Sequence, residues 1–151
     1  MAENDDALQL QLITLLGEKM NERVYEVILP TTTGEIAVFP GHESLVTLAK
    51  PGVMAVRRRK IDPDDAMEYF ATSGGIIEID AARVRILVDE ADQGDDIIEA
   101  ESQKALERAL KMRDNASSQV ELEQAQQLID RHQVRLKVAG LKRHQTPTRY
   151  K

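Results

Sequence analysis

The sequence predicts a mainly β protein with an α appendage: a flattened N-terminal β sandwich or barrel of about 8–10 strands, then a C-terminal antiparallel two-helix hairpin. Three observations carry this. As far as Val88, short apolar runs recur at spacings of about 8–12 residues between Gly, Pro and Asp turns, with no helix-length segment between them. Past Gly94 the apolar period changes from two to the three-and-four of a helix. The chain has 151 residues, 42% of them apolar and 30% charged, which suits one ordinary domain with an appendage and excludes whole-chain disorder.

Leu8 to Leu15 alternates apolar and polar residues over most of its length, as a half-buried strand does. Val24 to Leu29 is β-branched and aromatic and is expected to stop at Pro30. Thr31-Thr32-Thr33-Gly34 reads as a turn into the strand Glu35–Phe39, which Pro40-Gly41 closes. Ser44 to Leu48 is a short apolar piece ended by Pro51-Gly52. Val53–Val56 runs into Arg57-Arg58-Arg59-Lys60, and Asp62-Pro63-Asp64-Asp65 turns the chain into Ala66–Ala71. Ser73-Gly74-Gly75 leads to Ile76–Ile79, and Asp80-Ala81-Ala82 to a last strand, Val84–Val88.

In the helical part, Ile98, Ala105, Ala109 and Met112 form one stripe, flanked by Ile97 and Leu106. Asp96 with Glu99 reads as a capping box. Asn115-Ala116-Ser117-Ser118 interrupts the pattern, and Ser118 with Glu121 offers a second box. A second helix is expected over 119–139, with Leu122, Ala125, Ile129, Leu136 and Ala139 on its stripe and Gly140 as its stop. Both stripes lean on Ala, so the hairpin is marginal alone; it is either a movable element or one docked permanently on the sandwich. The expected division is a sandwich over 1–91, a linker at 92–94, a helical hairpin over 95–145 and a basic tail at 146–151.

Charge is unevenly spread. Residues 1–94 hold 17 acids and 9 bases, and 95–130 hold 9 acids and 4 bases; after Asp130 there are seven bases and no acid. A basic end on an acidic body calls for an acidic partner surface. The same acidic body, with no aromatic among those bases before Tyr150, argues against nucleic acid.

The absence of Cys excludes disulfides, a thiolate nucleophile and thiolate zinc sites. No run is long enough to insert in a bilayer, and the acidic start Met1 to Asp6 lacks the order of an export signal, so a cytoplasmic protein is expected. His42, His132 and His144 match no metal spacing, and there is no phosphate loop or nucleophile elbow. Neither cofactor, metal nor catalytic residue is expected. Arg57 to Lys60 could hold an anion, but Asp62, Asp64, Asp65 and Glu68 follow at once and favour local charge matching. What remains is a binding module.

The run Thr33-Gly34-Glu35-Ile36-Ala37-Val38-Phe39-Pro40-Gly41-His42-Glu43-Ser44-Leu45-Val46-Thr47-Leu48, with Lys50-Pro51-Gly52 after it, resembles a hallmark of the epsilon-subunit family of F-type ATP synthases. Ser73-Gly74-Gly75-Ile76-Ile77-Glu78-Ile79 is similar to that family's second hallmark. Ala37 stands where the family commonly has Gly. The resemblance implies a non-catalytic subunit of the rotor's central stalk, with gamma, the c-ring and the alpha/beta head as partners. It further implies a chain that is not an obligate homo-oligomer and that is peripheral on the cytoplasmic face of the bacterial membrane. It places Gly34, Glu35, Pro40, Gly41, His42 and Glu43 at the c-ring or gamma interface; the residues by themselves leave open the alternative that Pro40-Gly41 shapes a turn and His42 caps it. It also makes the hairpin a brake on ATP hydrolysis, in which Arg131, Arg135, Lys137, Lys142 and Arg143 meet an acidic segment of beta. The family's ATP-binding motif is degenerate at Ile97, Ile98, Glu101 and Ser102: Ile98 replaces the Asp and extends the apolar stripe, Glu101 replaces the phosphate-binding Arg, and Ser102 replaces the Ala. ATP sensing through that site is therefore not expected.

Overall fold

The computed structural model describes residues 6–143 and residue 145; the expected tail at 146–151, the start 1–5 and His144 lie outside the described residues. Ten strands form the first part: β1 Leu8–Thr14, β2 Gly17–Val24, β3 Glu26–Thr31, β4 Gly34–Val38, β5 Leu45–Ala49, β6 Gly52–Arg57, β7 Glu68–Thr72, β8 Gly75–Ile79, β9 Arg83–Val88 and β10 Ala91–Gln93. They are followed by α1 Glu99–Asp114 and α2 Gln119–Arg143. The predicted sandwich with a helical hairpin is what the chain forms.

The strand order is β10-β7-β6-β3-β5-β8-β9-β1-β2, with β4 on β3. β3 meets β5 only at Thr31 and Ala49, so the sheet folds there into two layers. Period-two alternation fills the space between them: Leu8, Leu10 and Leu12 from β1 lie beside Val84, Ile86 and Val88 from the neighbouring β9 and pack in one core with Val27, Leu29, Met54 and Val56 from the opposite layer. Each such fully buried aliphatic side chain stabilises the fold by roughly 1.5–3 kcal/mol. The sandwich core cluster includes no residue of either helix.

Several boundaries differ from expectation. β2 is an edge strand in which only Met20 and Val24 are buried, so its polar sequence carries no apolar period. Val24 ends β2, and Tyr25 bends the chain between layers before β3 begins. β3 continues through Pro30, because its pairing with β6 covers only Glu26–Ile28 and asks for no donor at that position. The segment 92–94, expected as a linker, is built into the fold: Asp92 and Gln93 pair with β7, and Gly94–Asp96 is a 3₁₀ turn.

Gly75 explains why the second hallmark needs its glycine. A Cβ there would lie 1.9 Å from the Leu87 carbonyl oxygen on β9, a backbone atom that cannot step aside.

The hairpin is antiparallel, since the Arg143 guanidinium at the end of α2 binds the Glu99 carboxylate at the start of α1 at 2.8 Å. It is docked on the sandwich along β7. No box forms at Asp96 and Glu99: Ile98 is the N-cap residue, in extended backbone without a side-chain cap, and Asp96 stays in the 3₁₀ turn. The Ser118 Oγ does accept from the Glu121 N–H at 3.2 Å, whereas the Glu121 carboxylate reaches Ser117, accepting from its N–H at 2.8 Å and its hydroxyl at 3.0 Å. Those two bonds lower the Glu121 pKa. Gly140 does not stop α2, which runs to Arg143. The ion pairs of Lys142 and Arg143 hold that last turn against glycine's poor helix propensity.

Candidate interaction surfaces

The hallmark residues do not come together. β4 separates Gly34 and Glu35 at one end from Pro40, Gly41 and His42 past the other, so a five-residue strand, roughly 16 Å, lies between them. Glu35, Gly41 and Glu43 are exposed. Gly41 has φ +87°, a left-handed turn that glycine takes without strain, and its N–H donates to the Ala81 carbonyl at 2.8 Å. The His42 Nδ1–H donates to the Glu43 carbonyl at 2.6 Å.

An exposed apolar surface lies elsewhere. On the outer face of the β5-β8-β9-β1 layer, Leu48 is opposite Ile76, Ile76 opposite Leu87, and Leu87 beside Ile13. Val46 stands in the next row at 72% exposure, and Leu48 is 57% exposed. The β1–β2 turn adds Leu15 and Leu16, both almost wholly in solvent. Leu48 and Ile76 are exposed and Leu87 and Ile13 half-buried, so apolar surface runs across four strands of this outward face. Sequence reasoning passed over it, yet there was a signal: Leu48 and Ala49, Ile76 and Ile77, and Ile86 and Leu87 are apolar at both parities, whereas a strand solvated on one face alternates.

The basic run is neutralised locally, as charge matching predicted. The Arg57 Nε donates to the buried Glu26 at 2.9 Å, its Nη1 to the Asp62 carbonyl at 2.6 Å and its Nη2 to Asp64 at 2.5 Å. These partners, Asp64 first, raise its pKa. Arg58 pairs with Glu68 and Glu22, which likewise raise its pKa, and Arg59 pairs with Asp62.

The bases of α2 are also occupied. Arg131 binds Glu90 at 2.8 Å, Arg135 binds Asp92 at 2.8 Å, Lys142 pairs with Asp95 and Arg143 with Glu99. Lys137 is exposed. Between the helices, Glu101, Ser102, Lys104, Arg108, Arg131, His132 and Arg135 line a cleft of about 340 Å³. Ser102 is buried at the helix interface, but Ile98 is 56% exposed and so does not extend the stripe, because the 3₁₀ turn sets α1 in a register that starts at Glu99. Ile97 is half-buried and Glu101 exposed. Among the described residues no cluster of three His, Cys, Asp or Glu side chains could hold a metal, and no helix is long and apolar enough to cross a membrane.

Residues 7–94 match the family described as the β-sandwich domain of the ATP synthase delta/epsilon chain. The chain belongs to that family. The match ends at Gly94, where the apolar period changes. Relatives within the family cover the hairpin as well. The ATP synthase epsilon chain of Herpetosiphon aurantiacus is 34% identical over 138 residues, 91% of this chain and 97% of its own. That of Trichodesmium erythraeum is 36% identical, over 80% of this chain and 86% of its own. The fold recurs in a chain of the Euglena gracilis mitochondrial ATP synthase, OSCP/F1/c-ring, with a TM-score of 0.74 at 23% identity over 89% of this chain and 81% of that one. It recurs again in a chain of the Tetrahymena thermophila mitochondrial ATP synthase central stalk and c-ring, with a TM-score of 0.56 at 13% identity over 87% of this chain and 96% of that one.

Proposed function

We infer that the chain is a non-catalytic subunit of the rotor's central stalk in a proton-translocating F-type ATP synthase. It sits at the cytoplasmic face of a bacterial membrane and couples c-ring rotation to the catalytic head. Beside family membership, the observation that carries this reading is the apolar row Leu48, Ile76, Leu87 and Ile13, a surface suited to permanent docking on gamma. The exposed Glu35 end of β4 is the candidate for the c-ring, whose polar loops a carboxylate would meet. The hairpin acts as a brake on ATP hydrolysis when Arg131, Arg135, Lys137, Lys142 and Arg143 are offered to an acidic segment of the beta subunit. Pairing of four of those five bases within the chain favours a second reading, in which the hairpin serves assembly alone.

The test is ATP hydrolysis by the cognate alpha-beta-gamma core, with and without saturating full-length protein, with binding to gamma recorded in the same samples. Binding with a several-fold fall in rate, relieved by ending the chain at Gly94, is the expected result. Binding without inhibition leaves the assembly reading. Failure to bind gamma overturns the rotor assignment.

A further inference from the structure

The four ion pairs of α2 are ordered. Reading up the chain, Glu90, Asp92, Asp95 and Glu99 meet Arg131, Arg135, Lys142 and Arg143 in the same sequence. The acids belong to one continuous stretch, from the end of β9 through β10 and the 3₁₀ turn to the first residue of α1. The bases at 131, 135 and 142 are four and seven residues apart and so share one face of α2. A second observation brings the same two segments together. Gly94 lies so close under α2 that a Cβ would come within 3.3 Å of the Val138 Cγ1 and 3.5 Å of the Lys142 Cδ. The apolar side of α2 is slight: Ala125, Ile129 and Val138 are its buried residues. Charge pairing is therefore a large part of what holds α2 down, and it falls on the bases that the brake requires.

We propose that the acidic connector Glu90–Glu99 is an internal stand-in for an acidic protein partner: it latches α2 onto the sandwich by occupying the cations that such a partner would bind. The proposal rests on the reading of α2's bases as a partner surface, and it adds the element that competes for them. Both pairings cannot be made at once, so the strength of the connector sets how readily the basic face is exposed. All four pairs involve partly solvated side chains, hence salt weakens the latch.

The experiment uses the full chain carrying Glu90→Gln, Asp92→Asn and Asp95→Asn together, which leaves every base of α2 in place. Amide hydrogen exchange over 119–143 is compared with wild type, the strands β1, β8 and β9 serving as a folding control in the same map. Binding of deca-glutamate, as a probe of the basic face, is measured alongside. The expected result is roughly tenfold faster exchange in α2 with unchanged strands, and deca-glutamate binding tighter by about the same factor. The charge-swapped pair Asp92→Arg with Arg135→Asp should keep wild-type protection. Unchanged exchange in α2 overturns the latch; faster exchange with no gain in deca-glutamate binding overturns the competition. Neither result depends on ATP hydrolysis, so failure of the brake, read as unaltered hydrolysis with Arg131→Gln and Arg135→Gln, is separately visible.

Discussion

At the scale of single residues, the same chemistry has different consequences according to burial. Arg57 is a surface-type residue in sequence, yet its pair with Glu26 is nearly solvent-free, with side-chain exposures of 15% and 9%. Arg57→Ala leaves that carboxylate buried and unpaired, and should cost about 3–5 kcal/mol by urea unfolding, against under about 1 kcal/mol for Arg59→Ala. Gly75→Ala meets backbone rather than side chain and should cost more than the usual 0.5–1 kcal/mol or so gained by removing a strand glycine; a lower melting temperature is the expected sign.

His132 carries the pH dependence. Its Nδ1 is buried without a hydrogen-bond partner, and burial, then Arg131, Arg135 and Arg108, lower its pKa below 6.5 against the opposing Glu90. Glu101 and Lys104 face the same cleft from α1. The cleft is lined by α1 and α2 alone, so a proton binds the hairpin with its helices parted or unfolded more readily than the hairpin with them paired. Helix-pairing stability is complete above the ordinary histidine pKa and falls as pH drops through it toward the lowered value. Between about pH 7.5 and 6, exchange protection of α2, corrected for intrinsic rates, should decline, and His132→Gln should flatten that decline.

At the scale of elements, the two halves are built on unlike energetics. The layer β5-β8-β9-β1 buries one face by alternation and offers the other as an apolar row, so Leu48→Asp with Ile76→Asp should leave melting within about 1 kcal/mol of wild type while abolishing gamma binding by pull-down. The helices bury little and depend on their ends. Ser118→Ala removes the Ser118 bond to the Glu121 N–H and should cost the start of α2 about 1 kcal/mol, read as faster exchange in its first turn. The hairpin's existence was legible from its 3.6 period, and its limits were not. Asp96 is as good a cap in sequence as Ser118, but a 3₁₀ turn held by the packing of Gly94 took Asp96 out of the helix.

For the whole molecule, the absence of helix residues from the sandwich core implies that residues 1–94 fold alone. A chain ended at Gly94 should keep a cooperative melting transition and, if the rotor reading holds, gamma binding, while losing any inhibition of hydrolysis.

Much of this architecture was determined by sequence alone. Alternation in Leu8–Leu12 and Val84–Val88, turn residues between the strands, and the change of period at Gly94 specify two layers and a hairpin, because those signals are local consequences of which side chains must leave water. Tertiary structure alone decided three things: that Glu35 and His42 lie at opposite ends of β4, that Ile13, Leu48, Ile76 and Leu87 align across four strands, and that the acids of the connector meet the bases of α2. Each depends on register or on contacts between residues distant in the chain, and a one-residue shift in either would erase it without altering composition or period.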